Sequence, residues 1–489
     1  MPTVDVLIIG AGLSALAAAR TLSSTAANVV ILEARNRIGG RALTYSRPDG
    51  PHIDLGCSMI HGYYEGNPAK RLLEELGMDV HIPMGAKGLV YGDKGPMTEA
   101  DATSLFASST QMAYSPSPDT PSSASVASLL FPTLSKDERL VAIARTAEIG
   151  AGVELERTSA KWTGFERGFK GTDAFPEGGY GREVMSNLVA DFKSVGGEVK
   201  LEEEVVSLEE VNDAEGGAVQ VKVTTRSGSV YLAKFVISTI PLSVLQKRPP
   251  TFSPPLSPMF RSAVNRTTVG VLEKVVLGYP SPWWPSPQET GSYLLLPLST
   301  ASVSPSESGS PDAPQPNSLR DLFERTTIPV TSFERIGSTP HATLLAYFGA
   351  RAGEFISKYD KDEVASELHA YLVERLASDS TRSPPPRPSF SVVSDWLNDP
   401  FSLGATSTPI TLPRSSTSTS TSSALESTPL DFVILGRPEW DGRLGFAGEH
   451  TDLDNHGSVA GALVSGKREG ERVKVELERL ERQRNEKEQ

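Results

Sequence analysis

Three small residues and one acid near the start of the chain have the spacing of a dinucleotide-binding site. Gly10, Gly12 and Ala15 directly follow the apolar run Val4–Ile9. Glu33 ends a second apolar run about twenty residues further along. In this pattern the first glycine permits a tight turn, the second lets the backbone approach a pyrophosphate, and the small third residue allows close helix–strand packing. The N–H groups at the helix start favour phosphates, and the acid accepts hydrogen bonds from a ribose with a free 2′-hydroxyl. This argues against NADP and leaves NAD or FAD.

A basic block with two glycines follows at residues 35–41. One interpretation is an ordinary basic loop with a Gly-Gly turn. The other is a second diphosphate contact, in which Gly39 and Gly40 give backbone access and Arg41 supplies a guanidinium. NAD rarely needs such a contact, whereas the longer FAD does, so the block favours FAD.

A third block lies near the end of the chain. Gly448 and Glu449 follow a short predicted strand, and a helix is predicted to begin near Val459. An acid close to a core is costly unless it is hydrogen-bonded, and the ribityl hydroxyls of a flavin would satisfy Glu449. The helix start would face the flavin pyrimidine edge, whose negative charge on reduction the helix dipole would stabilise. The alternative is a helix whose small residues serve close packing.

Together these blocks resemble the flavin-containing amine oxidases of the monoamine and polyamine oxidase type, and most closely the polyamine oxidases. The resemblance covers most of the chain. It is carried by the segments ILEARNRIGGRALT, DLGCSMIHG, ISTIPLSVL, GRLGFAGEHT and GSVAGALVSGKREG. It implies an α/β fold, with a doubly wound, Rossmann-like FAD-binding domain and a second, α+β substrate-binding domain.

The same resemblance implies which residues contact FAD. Glu33, Arg41 and Glu449 would do so by side chain, and others largely through backbone. The implied cofactor-binding residues are Gly10, Gly12, Ser14, Glu33, Ala34, Arg35, Gly40, Arg41, Gly56, Cys57, Ser58, Met59, Val205, Trp396, Gly448, Glu449, Ser458 and Val459.

Two residues are implied to take part in catalysis. Lys274 falls where the family places a lysine that holds a water beside the reactive flavin nitrogen, although a single strand lysine usually faces solvent. The apolar residues around it indicate a buried strand, in which a lysine needs a partner and has a shiftable pKa. His61 falls where polyamine oxidases face their substrate, although a lone histidine is more often structural. Trp396 matches a family tryptophan before the segment that faces the flavin, and a plain core aromatic is the alternative.

The chain departs from the family pattern at three positions. Met59 replaces the tryptophan of the W-I-H-G block, Cys57 replaces an alanine, and Thr406 replaces an aromatic that often forms part of a cation-binding cage. Monoamine oxidases bind their flavin covalently through a cysteine in the segment around Thr406, and this chain has no cysteine there. We therefore expect FAD to be bound non-covalently. We expect no metal site.

The composition excludes several classes of protein. The 489 residues carry a net charge of −13 and no basic stripe, so nucleic acid is not an expected partner. The single cysteine, Cys57, allows no internal disulfide, which fits a reducing compartment. No signal peptide, peroxisomal signal or membrane-spanning run is evident, so we expect a cytoplasmic location.

The length predicts two domains, each built from separated segments. Residues 1–80, 181–262 and 430–475 would form the FAD-binding domain, and residues 81–180 and 263–429 the substrate-binding domain. Ser/Thr/Pro-rich segments at about 102–136, 298–318 and 407–429 are expected to be surface loops or partly disordered inserts, and residues 476–489 a charged tail. Leu430–Leu435 is expected to be a strand.

The sequence therefore predicts an FAD-dependent oxidase of a primary or secondary amine, with a polyamine or acetylated polyamine as the expected substrate and dioxygen as the second. The products would be an imine that hydrolyses to an aldehyde, an amine and hydrogen peroxide. One alternative is oxidation of an amino acid or another C–N substrate, which needs an arginine for the carboxylate. Another is a flavin-binding protein without this activity. A histone lysine demethylase is disfavoured, because no long helical-hairpin insertion is visible.

Overall fold

The structure is a computed structural model of the chain. It describes residues 2–47, 50–82, 88–111, 117–134, 137–166, 168–212, 219–285, 291–298, 315–336, 339–377, 385–408 and 427–488.

The strands of the described residues fall into two large sheets and three short pairs. In chain order they are β1 (Thr3–Ile9), β2 (Val29–Leu32), β3 (Thr44–Ser46), β4 (His52–Asp54), β5 (Val80–His81), β6 (Leu89–Gly92), β7 (Gly95–Pro96), β8 (Phe175–Pro176), β9 (Glu198–Lys200), β10 (Val205–Asn212), β11 (Val219–Thr225), β12 (Val230–Ser238), β13 (Thr251–Ser253), β14 (Thr268–Val269), β15 (Leu272–Gly278), β16 (Ser292–Leu295), β17 (Ile328–Ser332), β18 (Thr343–Gly349), β19 (Phe390–Val393), β20 (Ser407–Thr408) and β21 (Leu444–Phe446).

The α-helices of the same residues surround the sheets. They are α1 (Leu13–Leu22), α2 (Pro68–Glu75), α3 (Glu99–Gln111), α4 (Val126–Leu134), α5 (Glu138–Ala144), α6 (Ala147–Ala151), α7 (Met185–Ser194), α8 (Leu242–Lys247), α9 (Pro258–Arg266), α10 (Leu319–Arg325), α11 (Ala350–Ile356), α12 (Lys361–Leu376), α13 (Leu430–Leu435) and α14 (Val459–Glu488). Asn67 caps α2 as its sequence predicts, because its side-chain oxygen accepts a hydrogen bond from the N–H of Ala69 at 2.9 Å.

The first sheet contains the parallel core that the fold class requires. Strand β1 lies between β12 and β2, β9 extends the sheet beyond β2, and β21 pairs with the last part of β12, all in parallel. Strands β10 and β11 continue the sheet in antiparallel order. The carboxyl ends of parallel strands meet at one edge, where ligands of such sheets bind. Gly10, Glu33, Thr239 and Gly448 therefore come together, because each follows one of these strands within two residues.

Helix α1 is held against the sheet by close packing with α14. Ala15 is fully buried in this layer. A Cβ on Gly466 would lie 2.9 Å from the Ala17 Cβ, and one on Gly470 would lie 2.9 Å from the Ala18 carbonyl oxygen. The small residues of α14 therefore serve close packing, which in turn fixes the N-terminus of α1. Close packing was the alternative role expected for this helix. The helix has that role, and its first residues also lie on the wall of the cavity described below.

The second sheet has the order β19-β15-β18-β17-β16-β6-β7 and is mostly antiparallel. Helices α10 and α12 cover one face, where Val275, Leu277 and Phe348 of the sheet pack against Leu368 and Leu372 of α12. Lys274 lies on β15 between β18 and β19, so this lysine is placed inside the fold rather than on its surface.

Two of the sequence-based expectations for individual segments need correction. Leu430–Leu435 is a helix, not a strand. The prediction failed because so short an apolar run does not show whether its residues repeat with the period of a helix or of a strand. Its Phe432 and Leu435 are buried, and the buried Asp431 receives a hydrogen bond from Arg266 Nε at 3.2 Å. The charged tail expected from residue 476 is the exposed end of α14, which runs to Glu488.

The predicted insert at 102–136 is also wrong as a plain loop. It contains part of α3 and all of α4, and Leu105, Phe131 and Leu134 are buried there. Apolar residues at helical spacing outweighed the Ser/Thr/Pro-rich composition between them. The inserts at 298–318 and 407–429 lie largely outside the described residues, since 299–314 and 409–426 are not described.

Candidate active site

A cavity of about 610 Å³ is lined by residues of both large sheets. Every residue that the sequence predicted for cofactor binding or catalysis lies on its wall. These are Gly10, Gly12, Ser14, Glu33, Ala34, Arg35, Gly40, Arg41, Gly56, Cys57, Ser58, Met59, His61, Val205, Lys274, Trp396, Gly448, Glu449, Ser458 and Val459. Segments that are hundreds of residues apart in sequence thus form one site.

The glycine turn after β1 leaves room for a ligand. Gly10 has φ +96°, and a Cβ there would lie 2.5 Å from Thr239 Oγ1, so both the turn and the close approach require glycine. A Cβ on Gly12 would meet no described atom within 4 Å, and one on Gly40 would meet only Gly12, at 3.6 Å. The wall at Gly12 is therefore open backbone at the start of α1.

Glu33 is buried at the same end, and its carboxylate holds the turn in place. One oxygen accepts a hydrogen bond from the Ala11 N–H at 2.7 Å and the other from the Arg35 N–H at 2.8 Å. A carboxylate has about four acceptor positions, so these two bonds leave capacity toward the cavity. Arg35 is itself held by the Asp399 carboxylate, 2.7 Å from its Nη2 atom.

The Arg41–Glu449 pair connects the second and third blocks of the sequence. Arg41 Nη1 donates to Glu449 Oε1 at 2.9 Å and also to the Ala405 carbonyl oxygen. The other Glu449 oxygen accepts from the Gly457 N–H at 3.0 Å and from Ser407. Burial alone would raise the pKa of Glu449, but the charge of Arg41, the neighbouring His450 and these hydrogen bonds outweigh it and hold the pKa at about 2. Glu449 is thus a buried carboxylate that stays ionised.

Lys274 lies under the cavity with its ammonium group surrounded by acceptors. Its Nζ atom is 2.9 Å from the Asp54 carbonyl oxygen, 2.6 Å from that of Gly56 and 3.2 Å from Ser58 Oγ. The side chain is 3% exposed, so the alternative of a solvent-facing strand lysine does not apply. Burial lowers its pKa to about 8, against opposing effects of Asp54 and Cys57. A water on Nζ would have to replace one of the three acceptors, and Ser58 is the most distant of them.

His61 lies at the wall with one ring nitrogen engaged. Its Nδ1 atom is 3.0 Å from an Asp173 carboxylate oxygen, and the other Asp173 oxygen accepts from the Gly62 N–H at 3.1 Å. The hydrogen bond to Asp173 raises the pKa of His61. The His61 side chain is 68% exposed, so the ring remains open to a ligand.

The three departures from the family pattern also lie on the wall. Met59 and Thr406 both line the cavity. Cys57 lines it too, and burial raises the pKa of its thiol to about 12, so the thiol is protonated at neutral pH. Trp396 both lines the cavity and belongs to the core, since it is 6% exposed and its Nε1 donates to the Leu55 carbonyl oxygen at 3.1 Å.

Several residues of the wall were not predicted as site residues. Thr239 lies within ISTIPLSVL, a segment that carried the resemblance without a residue being assigned. Tyr347 faces Lys274, whose Nζ atom is 5.6 Å from its ring centroid. Gly150 carried no local signal, because only the fold brings it to this wall. Asp173 carried none either, because only the fold brings it to His61. In the part of the chain that the structure describes, no cluster of His, Cys, Asp or Glu could hold a metal ion.

A sequence model of the flavin-containing amine oxidoreductases matches residues 13–474. The chain belongs to this family. Its cofactor is FAD, and the cavity fits that group: the wall at Gly12 is open, Glu33 retains acceptor capacity, and α14 begins at the wall with Val459. Among the described residues, no helix is long and apolar enough to cross a membrane.

The curated relatives of this chain differ in their named activities. The lysine-specific histone demethylase 1 homolog 3 of Arabidopsis thaliana is 26% identical over 96% of this chain and 30% of its own length. The human lysine-specific histone demethylase 2 is 24% identical over 96% of this chain and 53% of its own length. The bovine flavin-containing amine oxidase B is 27% identical over 60% of each chain. The chain thus spans about a third to three fifths of the length of these relatives.

A solved structure of a putrescine oxidase with bound putrescine has the same fold. It superimposes with a TM-score of 0.69 over 97% of this chain and 99% of its own, at 18% identity. The match supports the predicted α/β fold with a doubly wound, Rossmann-like domain and a second α+β domain.

Proposed function

We propose that this chain catalyses the FAD-dependent oxidation of a primary or secondary amine, with a polyamine or acetylated polyamine as substrate. Dioxygen is the second substrate, and the products are an imine that hydrolyses to an aldehyde, an amine and hydrogen peroxide. The observation that carries the proposal is Lys274, a buried lysine with a lowered pKa on the wall of the cavity that also holds the glycine turn.

Bound FAD would supply the oxidising chemistry, which is the acceptance of a hydride from the carbon next to the substrate nitrogen. The protein must bind that nitrogen in its neutral form, because a protonated amine has no lone pair to release. The cavity wall favours the neutral amine, since Ile149, Leu272 and Pro329 add apolar surface that disfavours an ammonium group at the reacting centre.

The Asp173–His61 pair supports a substrate with a second nitrogen. The Asp173 carboxylate holds His61 by the hydrogen bond at 3.0 Å, which leaves Nε2 free to face a ligand. A polyamine carries further cationic nitrogens beyond the reacting one, and the Asp173 carboxylate next to His61 would stabilise them. We assign His61 to contact with a substrate nitrogen and Lys274 to positioning a water at the reacting centre.

Oxidation of amino acids is less well supported. Such an enzyme needs an arginine to pair with the substrate carboxylate. The arginines on the described wall are Arg35, Arg41 and Arg248, and each already contacts a carboxylate: Asp399, Glu449 and Glu204, respectively.

A second candidate is the oxidation of an N-methylated lysine side chain. It is favoured by the two relatives named histone demethylases, which align with 96% of this chain. An N-methylated lysine is also a secondary or tertiary amine, so the same cavity chemistry applies. The two candidates differ in their products, since demethylation releases formaldehyde.

The test is an assay of purified holoenzyme for peroxide and formaldehyde. Spermine, acetylated spermine, benzylamine, several L-amino acids and a peptide with methylated lysine serve as substrates. Peroxide with the polyamines and no formaldehyde supports the proposal. Formaldehyde from the peptide alone supports the second candidate, and turnover of amino acids alone contradicts both.

A further inference from the structure

Helix α6 forms one wall of the cavity with three residues of a single helix face. Thr146 directly before the helix, and Ile149 and Gly150 within it, all line the cavity. Their spacing of three and four residues places them side by side on a helix. Of the three, Gly150 alone has no side chain to fill the space in front of it.

The space in front of Gly150 is open. A Cβ built on Gly150 meets no described atom within 4 Å, and its backbone does not have the positive φ that requires glycine. Glycine within a helix is less favourable than alanine, because it loses more conformational freedom on folding. An alanine would therefore fit the fold at this position and favour the helix. The glycine is accounted for if a ligand uses the space.

Helix α6 is held in place by close packing of its backbone against Gly349 and by hydrogen bonds with two other segments. A Cβ on Gly349 would lie 2.6 Å from the Glu148 carbonyl oxygen and 2.7 Å from the Ile149 Cα. The helix ends at Gly152, whose carbonyl oxygen accepts from the Val271 N–H at 2.9 Å, and Thr408 Oγ1 donates to the Ala151 carbonyl oxygen. The width of the cavity at Gly150 is thus fixed by the fold.

We propose that Gly150 is a specificity-determining residue, which makes room for the non-reacting carbon chain of a long or bulky amine. The inference rests on the proposed function, since it takes the ligand of this cavity to be an amine. A side chain at position 150 would occupy the volume that this chain needs and leave the reacting centre unchanged. Small amines would then bind as before, whereas large ones would be excluded.

The test uses two amines that bind without reacting. tert-Butylamine and tert-octylamine carry no hydrogen on the carbon next to nitrogen, so neither can be oxidised by hydride removal. Their dissociation constants are measured on holoenzyme by the change in flavin absorbance. In Gly150→Leu we expect tert-octylamine to bind about tenfold more weakly, and tert-butylamine to change by less than about twofold.

Gly168→Leu is the matched control, because a Cβ on Gly168 also meets nothing within 4 Å and this residue does not line the cavity. Gly150→Ala should melt at the same temperature as wild type or higher, which separates loss of space from loss of fold. The proposal is overturned if both amines weaken equally in Gly150→Leu, if neither changes, or if neither amine binds the wild type. The peroxide assay tests the proposed function separately, since these probes do not turn over.

Discussion

Arg41 Nη1 lies 2.9 Å from Glu449 Oε1, and the two residues are 408 positions apart in the sequence. The contact ties the glycine-rich block after β2 to the block that precedes α14. Because Glu449 also accepts hydrogen bonds from Ser407 and Gly457, one ionised carboxylate orders three segments of the cavity wall.

Removing Arg41 should destabilise the apoprotein. Loss of one partner leaves the other charge buried without compensation, so Arg41→Ala should lower the free energy of unfolding by about 3 kcal/mol. Urea denaturation measures this. The control is Arg71→Ala, which breaks the exposed ion pair with Glu75 and should cost less than about 1 kcal/mol. Equal losses in the two variants would contradict the account.

The stabilisation by Glu449 should depend on pH in the acid range. Its pKa is about 2 in the folded protein, below the ordinary value of 4.5. A lowered carboxyl pKa contributes stability above its unfolded pKa and loses it as the pH falls toward the folded value. The difference in unfolding free energy between wild type and Glu449→Gln should therefore be largest above about pH 4.5 and shrink toward pH 2. A difference that stays constant with pH would show that the charge of Glu449 is not what stabilises the site.

Lys274→Met should slow turnover without releasing FAD. The methionine keeps the apolar length of the side chain and removes the group that we assign to positioning water. Because the pKa of Lys274 is about 8, the rate of flavin reoxidation in wild type should show an inflection near this pH, and the variant should show none. Stopped-flow mixing of reduced enzyme with dioxygen measures the rate. The role is wrong if the variant reoxidises at the wild-type rate with the same pH profile.

Asp173 should set the pH at which His61 titrates. Its hydrogen bond raises the pKa of His61, so Asp173→Asn should move the His61 inflection in kcat/KM to lower pH. His61→Gln should abolish the inflection, which identifies it. An unshifted inflection in Asp173→Asn would show that the hydrogen bond is not maintained in solution.

FAD should be released when the protein is unfolded. The thiol of Cys57, with a pKa of about 12, is a poor nucleophile, and no other cysteine exists in the chain. Acid precipitation of wild type and of Cys57→Ser should leave the yellow colour in the supernatant in both cases. Colour retained in the wild-type pellet alone would indicate a bond to Cys57.

The glycine turn and the family blocks could be predicted from sequence because their geometry is local. Gly10 and Gly12 sit between one strand and one helix, and no distant contact is needed to place them. Lys274 was located by the family resemblance, and the apolar residues around it correctly indicated that its strand is buried.

Other parts depend on tertiary contacts and could not be predicted. Leu430–Leu435 is too short for its period to distinguish helix from strand, and the Arg266–Asp431 contact that fixes it joins residues far apart in the chain. Asp173 has no local signal, because it becomes a site residue only where the fold brings it to His61. The role proposed for Gly150 depends on the open space in front of it and on its place on the cavity wall, neither of which the sequence shows.

The central claim is tested most directly by mixing yellow, purified protein with spermine or acetylated spermine in the absence of dioxygen. The account predicts that the flavin absorbance bleaches with the amine and that admitting air restores it with release of peroxide. A colourless protein, or a flavin that amino acids bleach and amines do not, would contradict it.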